Sequence, residues 1–310
     1  MRKFNIDFNK TFKYVIILYA VIFLAGGIAC AFGIDLDINF KGGTKISYAY
    51  EGEIKVADIE KTVAKELKAD FTVTLSEGLT EESIKTFEIS FPAGNNVSTE
   101  TEPAITGALK EAFKDNVVEL SSSNAVTPTI AKAFFIKSIA AVLLTAIFVV
   151  IYVGIRFRRI GGVSAALTAL CALVFDVLVT FFVCVISGLQ IDSNYIAVVL
   201  TILGYSLNDT IVIYDRVREN RKLNPSADIG ELVNISVNQT MIRNIVTTVT
   251  TLGAVITILV IAEINGLTTL RTFVIPMAFG LVSGAVSSLF IAGPLWVIWK
   301  KSRFARKKAK

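Results

Sequence analysis

Hydrophobic positions run along this chain in two distinct rhythms. Six long apolar stretches, Tyr14–Phe32, Phe134–Ile155, Val163–Ser187, Tyr195–Tyr214, Ile242–Ile264 and Thr272–Trp299, each approach or exceed the roughly 18–20 residues that cross a bilayer. The last is long for one span and is expected to run into the interface, with Trp296 and Trp299 at headgroup level. Between the first and second stretches the period changes. Lys45–Tyr50 alternates as a strand, and Val56–Leu67 has helical spacing, with Val56, Ile59, Val63 and Leu67 on one face. Phe71–Leu75 and Ile84–Phe91 read as strands, the second ending at Pro92. Ser98–Phe113 reads as a helix capped by Ser98, with Glu100 and Glu102 in its first turn, and Val117–Leu120 closes the set. That order predicts a ferredoxin-like α+β domain. The expected fold is therefore a polytopic α-helical membrane protein with six transmembrane helices and an exterior α+β domain between helices 1 and 2. The divisions are 1–33 (N-terminus and helix 1), 34–131 (exterior domain), 132–299 (helices 2–6) and 300–310 (basic tail).

Charge sets the expected orientation. From Ile34 to Asn124 there are 17 acidic and 9 basic residues, a net of −8; the remainder holds 9 acidic and 22 basic residues, a net of +13. The overall +5 averages two regions of opposite sign, so it does not point to nucleic acid. Basic residues precede the first span (Arg2, Lys3, Lys10, Lys13) and follow the second (Arg156, Arg158, Arg159). They also follow the fourth (Arg216, Arg218, Arg221, Lys222) and crowd the tail from Lys300 to Lys310, whereas Gly188–Asn194 has none. The positive-inside rule then puts both termini in the cytoplasm and the acidic domain outside, in a cytoplasmic (inner) membrane. Ala29-Cys30-Ala31 resembles a signal cleavage site, but the apolar run is too long for a signal core and five more follow. Cys30, Cys171 and Cys184 all fall in spans and read as small apolar residues. With no histidine in the chain, histidine metal sites, Ser-His triads and histidine proton relays are excluded. No nucleophile–base pair or nucleotide loop suggests an enzyme, and no cofactor is expected.

One residue breaks the fourth span. Asp209 lies about 21 Å along it from Tyr195 at 1.5 Å per residue, in the inner third of a roughly 30 Å core. A carboxylate there is costly unless protonated, paired or facing water. Thr201, Tyr205 and Asn208/Asp209 recur at helical spacing. Arg243, Thr247 and Thr250/Thr251 form a matching stripe on the fifth span. If the stripes face each other, Asp209 and Arg243 can pair; protonating Asp209 would then release Arg243, a switch whose input is a bound proton. The alternative is a static salt bridge that fixes helix register. Asp176, midway down the third span, is a weaker candidate for the same path, because no polar stripe surrounds it. Gly42 and Gly43 suggest a structural hinge into the domain. Gly280, Gly284 and Ser288 recur every four residues as a helix-packing face. Pro225–Val237 is amphipathic enough to lie along the inner surface.

Gly204–Asn220 as a whole resembles the fourth-span signature of the SecD/SecF family, membrane subunits of the bacterial Sec protein-export machinery. Asn39–Thr44, Gln239–Asn244 and Ser287–Ala292 agree with it. The resemblance implies a membrane core of the resistance-nodulation-division superfamily and partnership with SecD, whose similar six-span half would complete a pseudo-symmetric pair. It also implies the SecYEG translocon, with YajC and YidC, as further partners and unfolded preprotein as substrate. In the family, residues matching Asp209 and Arg243 take part in proton movement that drives late export, and Tyr205, Asn208 and Thr247 would line that path. The coupling ion could be H⁺ or Na⁺. The chain departs from the family at Asn39, at Thr127-Pro128 and at Phe175, where a histidine is common. Rival readings are a small-molecule or lipid exporter on the same core and a structural translocon scaffold.

Overall fold

The computed structural model describes residues 6–67, 69–76, 85–93, 101–114 and 116–308. Its elements in chain order are α1 (Phe8–Ala31), α2 (Ile38–Lys41), β1 (Gly43–Tyr50), α3 (Val56–Glu66), β2 (Thr72–Ser76), β3 (Lys85–Pro92), α4 (Thr101–Ala112) and β4 (Glu119–Val126). There follow α5 (Pro128–Arg156), α6 (Gly162–Ile186), α7 (Ser193–Leu223), α8 (Ile229–Asn265), α9 (Thr268–Ser287), a π-turn at Ser288–Ala292 and α10 (Gly293–Lys308). Among the described residues six helical segments are long and apolar enough to cross a membrane: α1, α5, α6, α7, α8 and the α9–α10 unit. The expected Ser98 cap, Glu100, Ile84, Arg2, Lys3 and Lys310 lie outside the described residues.

Helix ends follow side-chain chemistry. Asp7 accepts from Lys10 N, Asp192 from Asn194 N and Tyr195 N, and Asp228 from Gly230 N, each satisfying N–H groups that a helix start leaves free. Thr127 caps α5, with Pro128 in its first turn, where a missing N–H does no harm. The π-turn just precedes Gly293-Pro294. Proline cannot donate to the carbonyl four residues back, and the ladder loosens there.

One expectation is corrected. Pro225–Val237 is not a surface helix: α8 begins at Ile229, and Leu232, Val233, Ser236 and Val237 are buried in the bundle. Trp296, expected near the interface, is fully buried among the helices, donates its indole N–H to Ser164 Oγ in the first turn of α6 at 3.0 Å and lies under the Lys300 ammonium.

The inserted domain has a four-stranded antiparallel sheet in the order β2-β3-β1-β4. Alternation along β1 and β3 sends Ile46, Tyr48, Tyr50, Phe87, Ile89 and Phe91 to one face. There they meet Ile59 and Val63 of α3 and Ile105 and Leu109 of α4. Each large apolar side chain buried this way stabilises by about 1.5–3 kcal/mol. Strand β4 runs from Glu119 to Val126, well past the predicted Leu120. Its Ser-Ser-Ser-Asn stretch is exposed and apolar alternation is absent, so it is held by backbone pairing to β1 and by the Ser123 hydroxyl donating to Glu102 of α4 at 2.7 Å.

A compact junction ties this domain to the bundle. Leu36 bridges to Ile191 in the α6–α7 loop, with Asp37 N to Ile191 O at 3.0 Å and Ile191 N to Asp35 O at 2.8 Å. Lys45 of β1 reaches Asp37 at 2.9 Å, Gln190 at 3.1 Å and Glu88 at 3.3 Å. Burial opposes its charge, but the hydrogen bond to Asp37 and the charges of Glu88 and Asp37 outweigh that and raise its pKa above the usual lysine value. Gly42 and Gly43 turn the chain into β1 with φ of 78° and 137°. A Cβ on Gly43 would lie 2.1 Å from Phe91 O, so only glycine fits there.

Candidate functional site in the helix bundle

Two carboxylates lie inside the bundle, and their surroundings differ. Asp176 of α6 is 0% exposed. It accepts from Ser283 Oγ at 2.6 Å, Ser206 Oγ at 2.7 Å and Ser287 Oγ at 2.8 Å, so helices α7 and α9 converge on it. Tyr19 of α1 extends the network, its hydroxyl 3.0 Å from Ser283 Oγ. Ser288, at the π-turn, donates to Ser206 O and shares a hydrogen bond with Thr210. The reason for ranking Asp176 below Asp209 therefore fails. Its polar partners come from neighbouring helices, which a search along one helix does not see.

Close packing makes this convergence possible. A Cβ on Gly280 would lie 2.0 Å from Ile202 Cδ1, and one on Gly284 would lie 3.0 Å from Ser206 Cβ. These two glycines let α9 approach α7 closely enough for serine hydroxyls to reach one carboxylate.

Asp209 of α7 is 2% exposed, and its Oδ2 has no hydrogen-bond partner among the described residues. Arg243 lies within electrostatic reach, yet no ion pair with it forms among the described residues, and its side chain is exposed. The expected pairing is thus not made in this conformation. Helices α7 and α8 instead hold together through Asn220–Ser236 (2.8 Å), Arg216–Gln239 (2.6 Å) and Tyr205–Thr251 (3.2 Å). The step along one helix matches the step along the other. Asp209, four residues on from Tyr205, therefore falls opposite Thr247, between the levels of Asn244 and Thr248.

The expected lining residues are distributed unevenly. Tyr205 joins the α7–α8 seam through Thr251. Thr247 donates to the carbonyl of Arg243 at 2.8 Å, within its own helix. Asn208 points away from the bundle interior and is exposed, as are Thr201, Arg243 and Thr250. Sequence reasoning missed Ser206, Ser283 and Ser287 around Asp176, and Asn244 and Thr248, which are buried on α8 with unpartnered polar atoms. The four-residue spacings Ser283/Ser287 and Asn244/Thr248 were the available signal.

Six spans, an inserted α+β domain and two buried carboxylates define a polytopic membrane protein whose polar chemistry lies within its bundle. Residues 105–302 match the family model described as protein export membrane protein SecD/SecF, C-terminal. The chain belongs to the SecD/SecF family. It is 33% identical over 300 residues to the protein translocase subunit SecDF of Bacillus subtilis, covering 95% of this chain and 38% of that protein. To the protein translocase subunit SecF of Borreliella burgdorferi it is 32% identical over 309 residues, covering 96% and 98%. The crystal structure of SecDF, a translocon-associated membrane protein from Thermus thermophilus, superposes with a TM-score of 0.80 at 27% identity, covering 96% of this chain and 39% of that one. The chain thus spans about two fifths of the fused SecDF proteins and nearly all of the SecF relative.

Proposed function

We propose that this protein is an accessory subunit of the Sec translocon that, with SecD, uses the proton or sodium motive force to complete export of unfolded preproteins. The observation that carries this reading is Asp209: a buried carboxylate with an unpartnered oxygen, in the field of an exposed, unpaired Arg243. Such a group is poised to take up a cation, whereas Asp176, met by three hydroxyls, is already satisfied. Thr201, Asn208, Arg243 and Thr250 give α7 and α8 an exposed polar face at membrane depth. Polar groups do not favour lipid, so this face meets a protein partner, and a SecD half of the kind fused in the SecDF relatives is the natural one. SecYEG, with YajC and YidC, would receive the assembled pair.

In this reading the β2-β3-β1-β4 domain is ferredoxin-like and lies outside the cytoplasmic membrane, at residues 34–131, with 132–299 completing the bundle. Arg156, Arg216, Arg218 and Lys301 gather at the bundle end opposite the domain, which supports cytoplasmic termini. The test is gradient-dependent export into vesicles carrying SecD and either wild-type protein or Asp209→Asn, matched for assembled complex and supplied with ATP. The variant should assemble yet lose the gradient response. Equal responses would make Asp209 structural, as the scaffold reading requires.

A further inference from the structure

A groove runs between α5, α6 and α7 beneath the domain junction, with a volume of about 360 Å³ and no polar atom facing it among the described residues. Phe135, Val142 and Leu143 of α5, Phe181 of α6 and Ile196 of α7 line its length. Phe40 of α2 closes the end nearest the domain, its ring 6.3 Å from that of Phe135. Phe135 and Leu143 are exposed, so the groove opens on the lipid side of the bundle. Water finds no polar partner there to hold it.

Size decides between a helix and a hydrocarbon chain as the occupant. Phe135 to Leu143 is about 12 Å of helix, so the volume leaves a mean cross-section of about 30 Å². A helix of roughly 10 Å diameter needs about 80 Å². Only a single extended chain fits. Charge then identifies its headgroup. Lys132, one turn before Phe135, heads the stripe that continues through Phe135, Ile139 and Val142. It is exposed and makes no ion pair among the described residues. Helix α5 has 29 residues, about 42 Å against a hydrocarbon core of about 30 Å. Centred on the bilayer, it passes each boundary by about 6 Å, or about four residues, which sets Lys132 at phosphate level.

We propose that α5, α6 and α7 form a binding site for an anionic phospholipid, with one acyl chain in the groove and the phosphate on Lys132. Leu36 and Ile191, the bridged pair of the junction, also line the groove. A bound chain therefore packs against the link between domain and bundle.

Native mass spectrometry of the detergent-purified full chain, titrated with phosphatidylglycerol and with phosphatidylcholine of the same chains, counts and ranks bound lipid. Wild type should take one saturable phosphatidylglycerol about fivefold more tightly than phosphatidylcholine, the gain that one lysine gives an anionic headgroup. Lys132→Gln should bring the two lipids within about twofold. Val142→Trp, and Leu143→Trp at an exposed position, should fill the groove and remove the saturable site for both lipids, with helical content unchanged by circular dichroism. Retention of the site in both tryptophan variants would put the lipid elsewhere and overturn the proposal. Equal affinities in wild type would overturn the phosphate contact with Lys132. If Leu143→Trp leaves lipid binding intact but blocks assembly with SecD, the groove holds a partner's side chains and the lipid site falls.

Discussion

Asp176 provides the sharpest energetic test of the bundle. In a double-mutant cycle, Asp176→Ala and Ser283→Ala are made singly and together. The wild-type bond is 2.6 Å long, fully buried and made to a carboxylate. Hydrogen bonds to charged groups in water-soluble proteins contribute about 1.5–3 kcal/mol. Interhelical bonds inside membranes average nearer 0.6 kcal/mol, with a maximum of about 1.7, because the dissociated helices also find partners. The carboxylate and the short distance put this pair at the upper end, a coupling of about 1–2 kcal/mol. Ser283→Ala alone also costs Tyr19 its side-chain partner, but that loss is common to both arms of the cycle and cancels. Reversible unfolding in mixed micelles, followed by helical circular dichroism, gives the four stabilities. A coupling below about 0.3 kcal/mol would show that the serines do not hold Asp176, and the account of the bundle centre would be wrong.

Three further outcomes follow from the same geometry. Lys45→Met should loosen the domain–bundle junction by about 2 kcal/mol, seen as faster hydrogen exchange at the Asp37 and Ile191 amides, with the sheet core unchanged. Because its pKa is raised on folding, the Lys45 contribution is fully present below the unfolded value of about 10.4 and is lost as pH climbs through the folded value. Alkaline titration should therefore release the junction in wild type but not in Lys45→Met. Gly43→Ala forces a Cβ against Phe91 O at a left-handed φ and should destabilise the domain by about 2–3 kcal/mol in urea titrations. Trp296→Phe removes the bond to Ser164 while keeping most of the packing, for a loss of about 1 kcal/mol; a double-mutant cycle with Ser164→Ala should return a coupling of about that size, the Ser164 bond to Gly161 O cancelling.

Much of the architecture was legible because it follows from period and length. Apolar runs marked the six spans, and β1, β3, α3 and α4 announced themselves through Ile46/Tyr48/Tyr50, Phe87/Ile89/Phe91 and Ile59/Val63. The rest was hidden where pairing replaces burial. Strand β4 past Leu120 has no alternation to read, because its Ser-Ser-Ser-Asn side chains are exposed and it is held by its backbone and one serine hydroxyl rather than by apolar burial. The burial of Trp296 was not legible because interfacial preference is an average over tryptophans, and it cannot report a single buried acceptor on α6. Asp209 stood out because a charge in an apolar run is a one-dimensional anomaly. The Asp176 cluster is a three-dimensional one, made of serines that look ordinary on their own helices.

The contrast between the two carboxylates carries the functional argument. A bundle that only needed polar glue would treat both alike, supplying donors from neighbouring helices as it does for Asp176. Instead the hydroxyls of Ser206 and Thr210, flanking Asp209 on α7, turn to Asp176 and Ser288, while Asp209 keeps a free oxygen. Tyr205 and Thr247 also bond elsewhere. The available donors are thus committed away from Asp209, and Arg243 remains outside pairing distance. Leaving a buried carboxylate oxygen unmet costs on the order of 1–3 kcal/mol. In the proposed reading an incoming cation relieves that cost, and the occupancy of Asp209 is then what the α7–α8 seam would sense.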